Sequence, residues 1–179
     1  MESTGIVFTA SGGQGVITTA IILARAATIF EGKNAIQSQS YGAAARGGAT
    51  RADILISDGN IYYPKVESAD VFVALMQEGY NKYAHLIRPG GLMIVDPRYV
   101  KPSNINAKIL ELPMYDTVVK EIGKPIVYSV CVLGALIGAT DICKPESAIS
   151  VIQDAMPPAF FDMNKKALEI GITLGKEAA

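Results

Sequence analysis

The sequence predicts an α/β fold, a mostly parallel sheet wound with helices on both faces, and three observations carry that expectation. Short apolar runs rich in β-branched residues alternate with longer helical stretches along the 179 residues. A glycine-rich turn, "SGGQG" at residues 11–15, joins the first such run to the first helix. Half of the residues are hydrophobic and only 18% are charged, below the roughly 25% usual for soluble domains. A chain of this length most simply forms one domain, residues 1–179. With so little charge, it is expected to hide outer surface against partners.

Residues 5–10, "GIVFTA", suit a strand covered on both faces. The helix after the turn spans residues 16–30 with Arg25 as its only charge, so it should be nearly enclosed, and Gly32 stops it. Residues 34–40, "NAIQSQS", form a second strand, and a second glycine-rich loop, "YGAAARGG" at 41–48, leads to a third at 49–57. Asp58-Gly59 predicts a hairpin that returns through residues 61–64, with Pro64 marking an edge. Residues 70–75 form a buried strand, and the following helix ends at "RPGG", residues 88–91. Strands at 92–96 and 107–112 follow. Helices close the chain over residues 126–139, 145–156 and from Pro158 onward. The sum is an α/β, doubly wound, mostly parallel, Rossmann-like sheet with helices on both faces and one antiparallel hairpin.

Composition excludes several function classes. A net charge of −1 and a pI near 5.8 give nucleic acid no electrostatic footprint. The longest uncharged stretch, residues 126–140, falls short of the roughly 20 residues a membrane span needs. The N-terminus has no basic n-region, so a cytoplasmic chain is expected. Cys131 and Cys143 belong to no CxxC motif and are expected as buried, reduced thiols. The single histidine, His85, is expected at the surface or a boundary rather than as a general base. Asp96 either binds a hydroxyl or opens the turn before Pro97. No nucleophile motif and no metal-ligand cluster is present, so no catalytic centre is recognisable.

The two glycine-rich loops are the candidate site. Gly12, Gly13, Gln14 and Gly15 precede a helix N-terminus, which favours an anion. A dinucleotide fingerprint fails here: read from Gly13, its third glycine falls on Thr18, and the second strand ends without an acidic residue. Contact with a ligand edge and a tight turn beneath a close neighbour both stay open. The second loop offers Ser40, Tyr41, Gly42, Arg46, Gly47 and Gly48 at the same end of the sheet, with Arg46 free to reach a carboxylate or phosphate.

Five stretches in order, "GGQGVITTAIILARAA", "QSQSYGAAARGGATRADILIS", "YPKVESADVFVAL", "RPGGLMIVD" and "VLGALIGATDI", resemble the gamma subunit of 2-oxoacid:ferredoxin oxidoreductases over nearly the whole chain. The sequence departs from that pattern at Ala43 and Ala44, where proline and an acidic residue are commoner. The resemblance implies oxidative decarboxylation of a 2-oxoacid to an acyl-coenzyme A with reduction of ferredoxin. It further implies alpha, beta and delta partner subunits that carry thiamine diphosphate, magnesium and iron–sulfur clusters, with coenzyme A in the complex. This chain is then expected to hold none of those groups by itself. Pyruvate, 2-oxoglutarate, branched-chain and indolepyruvate substrates stay open, as does a homodimer of the isolated chain. The alternative is a stand-alone Rossmann-type protein that binds a nucleotide or cofactor at the first loop.

On this reading the loop glycines let partners pack against bare backbone. Arg46 then bonds a carboxylate across the interface, or a coenzyme A phosphate. Arg46→Ala is expected to weaken assembly by about 2–5 kcal/mol if that ion pair is buried. Co-purification of the variant with its partner subunits at wild-type yield would refute the interface role.

Overall fold

The structure, a computed structural model, describes residues 3–40, 48–103 and 105–179. Six strands make one sheet: β1 (Ser3–Ser11), β2 (Asn34–Ser40), β3 (Ala49–Ser57), β4 (Ala69–Ala74), β5 (Ile87–Val95) and β6 (Ala107–Glu111). Their spatial order is β2-β3-β1-β4-β5-β6. The ladders β1–β4, β4–β5 and β5–β6 are parallel, whereas β3 runs antiparallel to both of its neighbours. A single reversed strand is thus inserted into an otherwise parallel sheet.

That insertion corrects the expected hairpin. Residues 58–68 contain no strand, and the antiparallel hairpin is formed by β2 and β3, with Ser40 opposite Arg51. The reason is that both edges of β3 are already occupied, by β1 and by β2, so residues 61–64 cannot pair with β3. They cross a face of the sheet instead: Ser38 Oγ donates to the Pro64 carbonyl at 2.8 Å and Asn34 Nδ2 to the Gly59 carbonyl at 3.1 Å. The "RPGG" stretch also differs. It lies inside β5, where the β4–β5 register shifts between Ala69 and Val71, so the chain bulges there without leaving the sheet.

Strand periodicity divides the core into two layers. Ile6, Phe8, Ala52, Ile54, Val71, Val73 and Ile94 face helices α1 (Val16–Arg25), α4 (Tyr128–Thr140), α5 (Pro145–Ala155) and α6 (Phe161–Ala178). Val7, Phe72, Met93 and Val95 face the opposite side, under α2 (Gln77–Tyr83) and Val100. Phe8 and Phe72 are wholly buried, and each such side chain contributes about 1.5–3 kcal/mol. The short α3 (Met114–Glu121) packs at the α4 end through Met114 and Val118. As expected, Cys131 and Cys143 are buried free thiols, pushed up to about 12 by burial. His85 lies exposed at the end of α2.

Helix α4 is buried on nearly every side, and its closest neighbour is α6. Each presents a pair of glycines four residues apart. A Cβ on Gly134 or Gly138 would collide with the carbonyl of Leu168 or Ile172, and one on Gly171 or Gly175 with that of Cys131 or Ala135. Backbone therefore meets backbone, and the glycine pair of α4 serves packing inside the fold. Gly171→Ala is expected to destabilise the chain by about 2–3 kcal/mol through overpacking. Gly12→Ala, at a position open to solvent, is expected to leave the guanidinium midpoint unchanged. Equal midpoints for the two variants would refute the close approach.

Candidate functional site

The C-terminal ends of β1, β4 and β5 form the rim of the sheet where α/β folds bind ligands. The helix after β1 goes to one face and the helix after β4 to the other, which makes the gap between these strands the topological switch point. In this chain the gap is filled from within. The Gln14 side chain accepts a hydrogen bond from the Ser11 N–H at 2.7 Å and donates from Nε2 to the Leu75 carbonyl at 3.3 Å. The Gln14 N–H donates to the Ser11 carbonyl at 3.1 Å. One amide therefore closes the turn on itself and bridges it to the end of β4.

The four residues predicted in this loop divide into two roles. Gln14 turns inward, and Gly15 is a tight turn under a close neighbour: its φ is +76°, and a Cβ there would strike the Ser129 side chain of α4. Thr19 Oγ1 fastens the same contact by donating to the Ser129 carbonyl at 2.9 Å. Gly12 and Gly13 are exposed, and nothing stands within 4 Å of where their Cβ atoms would be. These two residues offer bare backbone to whatever approaches.

The second loop emerges at the same rim. Ser40 ends β2 opposite Arg51, Gly48 directly precedes β3, and Ser11 ends β1 opposite Ala49. Ser40 is exposed and Gly48 half-buried. Tyr41, Gly42, Arg46 and Gly47 lie outside the described residues.

Beside the first turn is a cleft of about 220 Å³ that sequence reading did not anticipate. Its walls are the Gly13, Gln14 and Gly15 turn, Tyr99, Tyr115, Tyr128 and Ile126. The rings of Tyr99 and Tyr115 meet edge-on at 5.6 Å, and those of Tyr115 and Tyr128 at 5.5 Å. Asp96 holds this cluster together. It accepts from the Arg98 N–H at 3.0 Å, the Tyr115 N–H at 2.9 Å and the Tyr128 hydroxyl at 3.1 Å. Burial pushes the Asp96 carboxyl above its usual range, and those three donors pull it back. Both carboxylate oxygens are engaged and Asp96 is wholly buried, so a ligand hydroxyl does not reach it. The three tyrosines stand on three separate segments with no common period, so only the fold brings them together.

Ile126 is 78% exposed and also borders a second hollow, of about 160 Å³, with Met156, Met163 and Phe160, itself 48% exposed. An apolar strip therefore runs from the glycine turn across the tyrosine cleft to Phe160. The opposite face carries a polar hollow of about 240 Å³ beside Ser38, Ser40 and Lys65. Its arginine is already committed: Arg51 grips Asp53 through two bonds of 2.6 Å and donates to the Val66 carbonyl at 2.7 Å. This ion pair pins the linker after β3 and leaves the guanidinium little to give an anion.

Among the described residues, no set of side chains fits an iron–sulfur cluster or a catalytic metal. Cys131 and Cys143 are buried on separate elements, and no group of three or more His, Cys, Asp or Glu converges among the described residues.

Residues 5–174 match the family described as pyruvate ferredoxin/flavodoxin oxidoreductase. The 2-oxoglutarate synthase subunit KorC of Methanocaldococcus jannaschii is 38% identical over 169 residues, which cover 93% of this chain and 90% of that one. The gamma subunit of a keto/oxoacid ferredoxin oxidoreductase from Geobacter sulfurreducens superposes with a TM-score of 0.87 at 35% identity, over 98% of this chain and 99% of that one. Pyruvate oxidoreductase subunit PORC from Thermotoga maritima gives 0.82 at 26% identity, with 97% of each chain covered. These relatives span the chain nearly end to end and do not favour a stand-alone nucleotide-binding protein. The chain belongs to the pyruvate ferredoxin/flavodoxin oxidoreductase family, as a homologue of the gamma-type subunit of 2-oxoacid:ferredoxin oxidoreductases.

Proposed function

We propose that this chain is the gamma-type subunit of a 2-oxoglutarate:ferredoxin oxidoreductase and that it docks on the alpha, beta and delta subunits through the rim of strand ends. The substrate assignment is supported by the 38% identity to a 2-oxoglutarate synthase subunit, against 26% for the pyruvate relative. Thiamine diphosphate, magnesium and iron–sulfur clusters belong to the partner subunits, and coenzyme A acts in the assembled complex. The observation that carries the docking surface is the continuity of three features along one rim. These are the open backbone of Gly12 and Gly13, the tyrosine cleft, and the exposed Ile126 and Phe160.

Each part of the rim has a physical task. The open glycines let a partner's backbone or side chain approach to van der Waals distance. The tyrosine cleft accepts an apolar anchor against its ring edges. Covering Ile126 contributes on the order of 1.5–3 kcal/mol, as for any aliphatic side chain taken from water. Gln14 and Asp96 hold the two walls rigid, so little ordering cost falls on binding.

Gly12 allows a clean test because its Cβ direction is open and its backbone is not left-handed. Gly12→Phe is expected to keep the wild-type melting temperature and to lose at least about tenfold in affinity for the partner subunits, near 1.4 kcal/mol. Gly12→Ala is the matched control and is expected to co-purify normally. A Gly12→Phe chain that assembles at wild-type affinity would remove the first turn from the docking surface.

A further inference from the structure

The first helix begins without a cap. Helix α1 starts after Gly15, and its first bond runs from the Thr19 N–H to the Gly15 carbonyl at 3.0 Å. The N–H groups of Val16, Ile17 and Thr18 therefore have no acceptor within the helix. No described side chain caps this end, and no acidic residue stands in the first turn. Arg25 suits the negative end of the helix dipole, whereas the positive end is left uncompensated.

This helix start opens on a hollow of about 190 Å³, distinct from the tyrosine cleft. The hollow is lined by the backbone of Gly12, Gly13 and Gly15, by Val16 and Ile17, and by Thr50 of β3. Thr50 stands opposite Ala10 of β1 and faces the same side of the sheet as Ala52 and Ile54, toward α1. It is only 5% exposed, and its hydroxyl bonds to no described group. A hydroxyl held this deep ordinarily has a partner. What remains accessible of Thr50 opens into the hollow.

Free N–H donors at a positive helix end and one unpartnered hydroxyl together call for an anion. Its size follows from what is absent. No lysine or arginine among the described residues lines the hollow, so only the partial charge of the helix, about half a unit, meets the ligand. That suits a single carboxylate carried in on a docked surface. It undercompensates a free phosphate ester, which carries close to two negative charges.

We propose that the partner subunit on the rim places an acidic side chain in this hollow. Its carboxylate accepts from the first-turn N–H groups of α1 and from Thr50 Oγ1, and its aliphatic stem lies against Val16 and Ile17. The hollow adjoins Gly12 and Gly13, so this group arrives together with the surface that covers the open turn. The inference rests on the docking role proposed above and adds the chemistry of the group that docks.

The test is the affinity of the purified full-length chain for the purified partner subunits, measured by isothermal titration at low salt. Thr18 is exposed in the first turn of α1. Thr18→Glu supplies the acidic residue that the turn lacks, so the melting temperature is expected to hold or rise. Its charge repels the incoming carboxylate, and binding is expected to weaken at least about tenfold. Thr18→Lys is expected to do the reverse, with tighter binding and a melting temperature that holds or falls. Thr18→Gln, without charge, is expected to bind as the wild type does. Thr50→Val keeps the side-chain shape and is expected to weaken binding about tenfold with circular dichroism unchanged. Equal affinities for the three Thr18 variants would overturn the carboxylate site; a Gly12→Phe chain still defective in the same assay would show that the docking rim survives it. A wild-type chain that does not bind would overturn both. A rise in melting temperature with inorganic phosphate that is lost in Thr50→Val, without the charge order at Thr18, would assign the hollow to a free anion and overturn the proposal.

Discussion

The side-chain amide of Gln14 sits where the strands of this fold diverge, and the rest of the rim is organised around it. By taking the Ser11 N–H and the Leu75 carbonyl, it joins the ends of β1 and β4 and fills the crevice between helices that leave on opposite faces. Related α/β architectures keep that crevice open for a phosphate group. Here the Ser11 N–H and the Leu75 carbonyl are taken by Gln14, and Gly15 and Thr19 clamp the start of α1 under Ser129. What is left facing outward is backbone at Gly12 and Gly13 and an apolar strip. A rim of that kind suits a macromolecular surface better than a small anionic ligand.

The low charge content has two sources in the structure. One is a densely packed interior: α4 is buried on nearly all sides, and four glycines allow its backbone to touch that of α6. A helix that contributes no polar face lowers the charge of the whole chain. The other is apolar surface concentrated in two places, the strip through Ile126 and Phe160 and the exposed side chains of Ile29, Phe30, Tyr62 and Tyr63. The sequence led us to expect the second source, and the first contributes as well.

Much of the fold was legible because short apolar strands and long apolar helices leave strong local patterns. The strands at 5–10, 34–40, 49–57 and 107–112 were found within a residue or two of β1, β2, β3 and β6. The hairpin was misplaced because Asp58-Gly59 is a local turn signal, whereas the partner of β3 is decided by which strands already flank it. Gly12, Gly13 and Gly15 were correctly placed at a turn, but sequence alone could not divide them between open surface and buried contact. That division depends on Ser129, more than a hundred residues away. The tyrosine cleft was invisible for the same reason, since Tyr99, Tyr115 and Tyr128 share no period and come together only in the fold, around Asp96. The Arg51–Asp53 pair does sit at strand spacing, two residues apart on one face, and was there to be noticed.

The proposed role of this chain is that of a subunit whose surface completes an enzyme built on other subunits. The direct measurement is reduction of a viologen dye by 2-oxoglutarate and coenzyme A, with the purified partner subunits assayed with and without this chain. Activity that depends on its addition, and that prefers 2-oxoglutarate over pyruvate, is the predicted result. Full activity in its absence would contradict the subunit role, and a preference for another 2-oxoacid would contradict the substrate assignment alone.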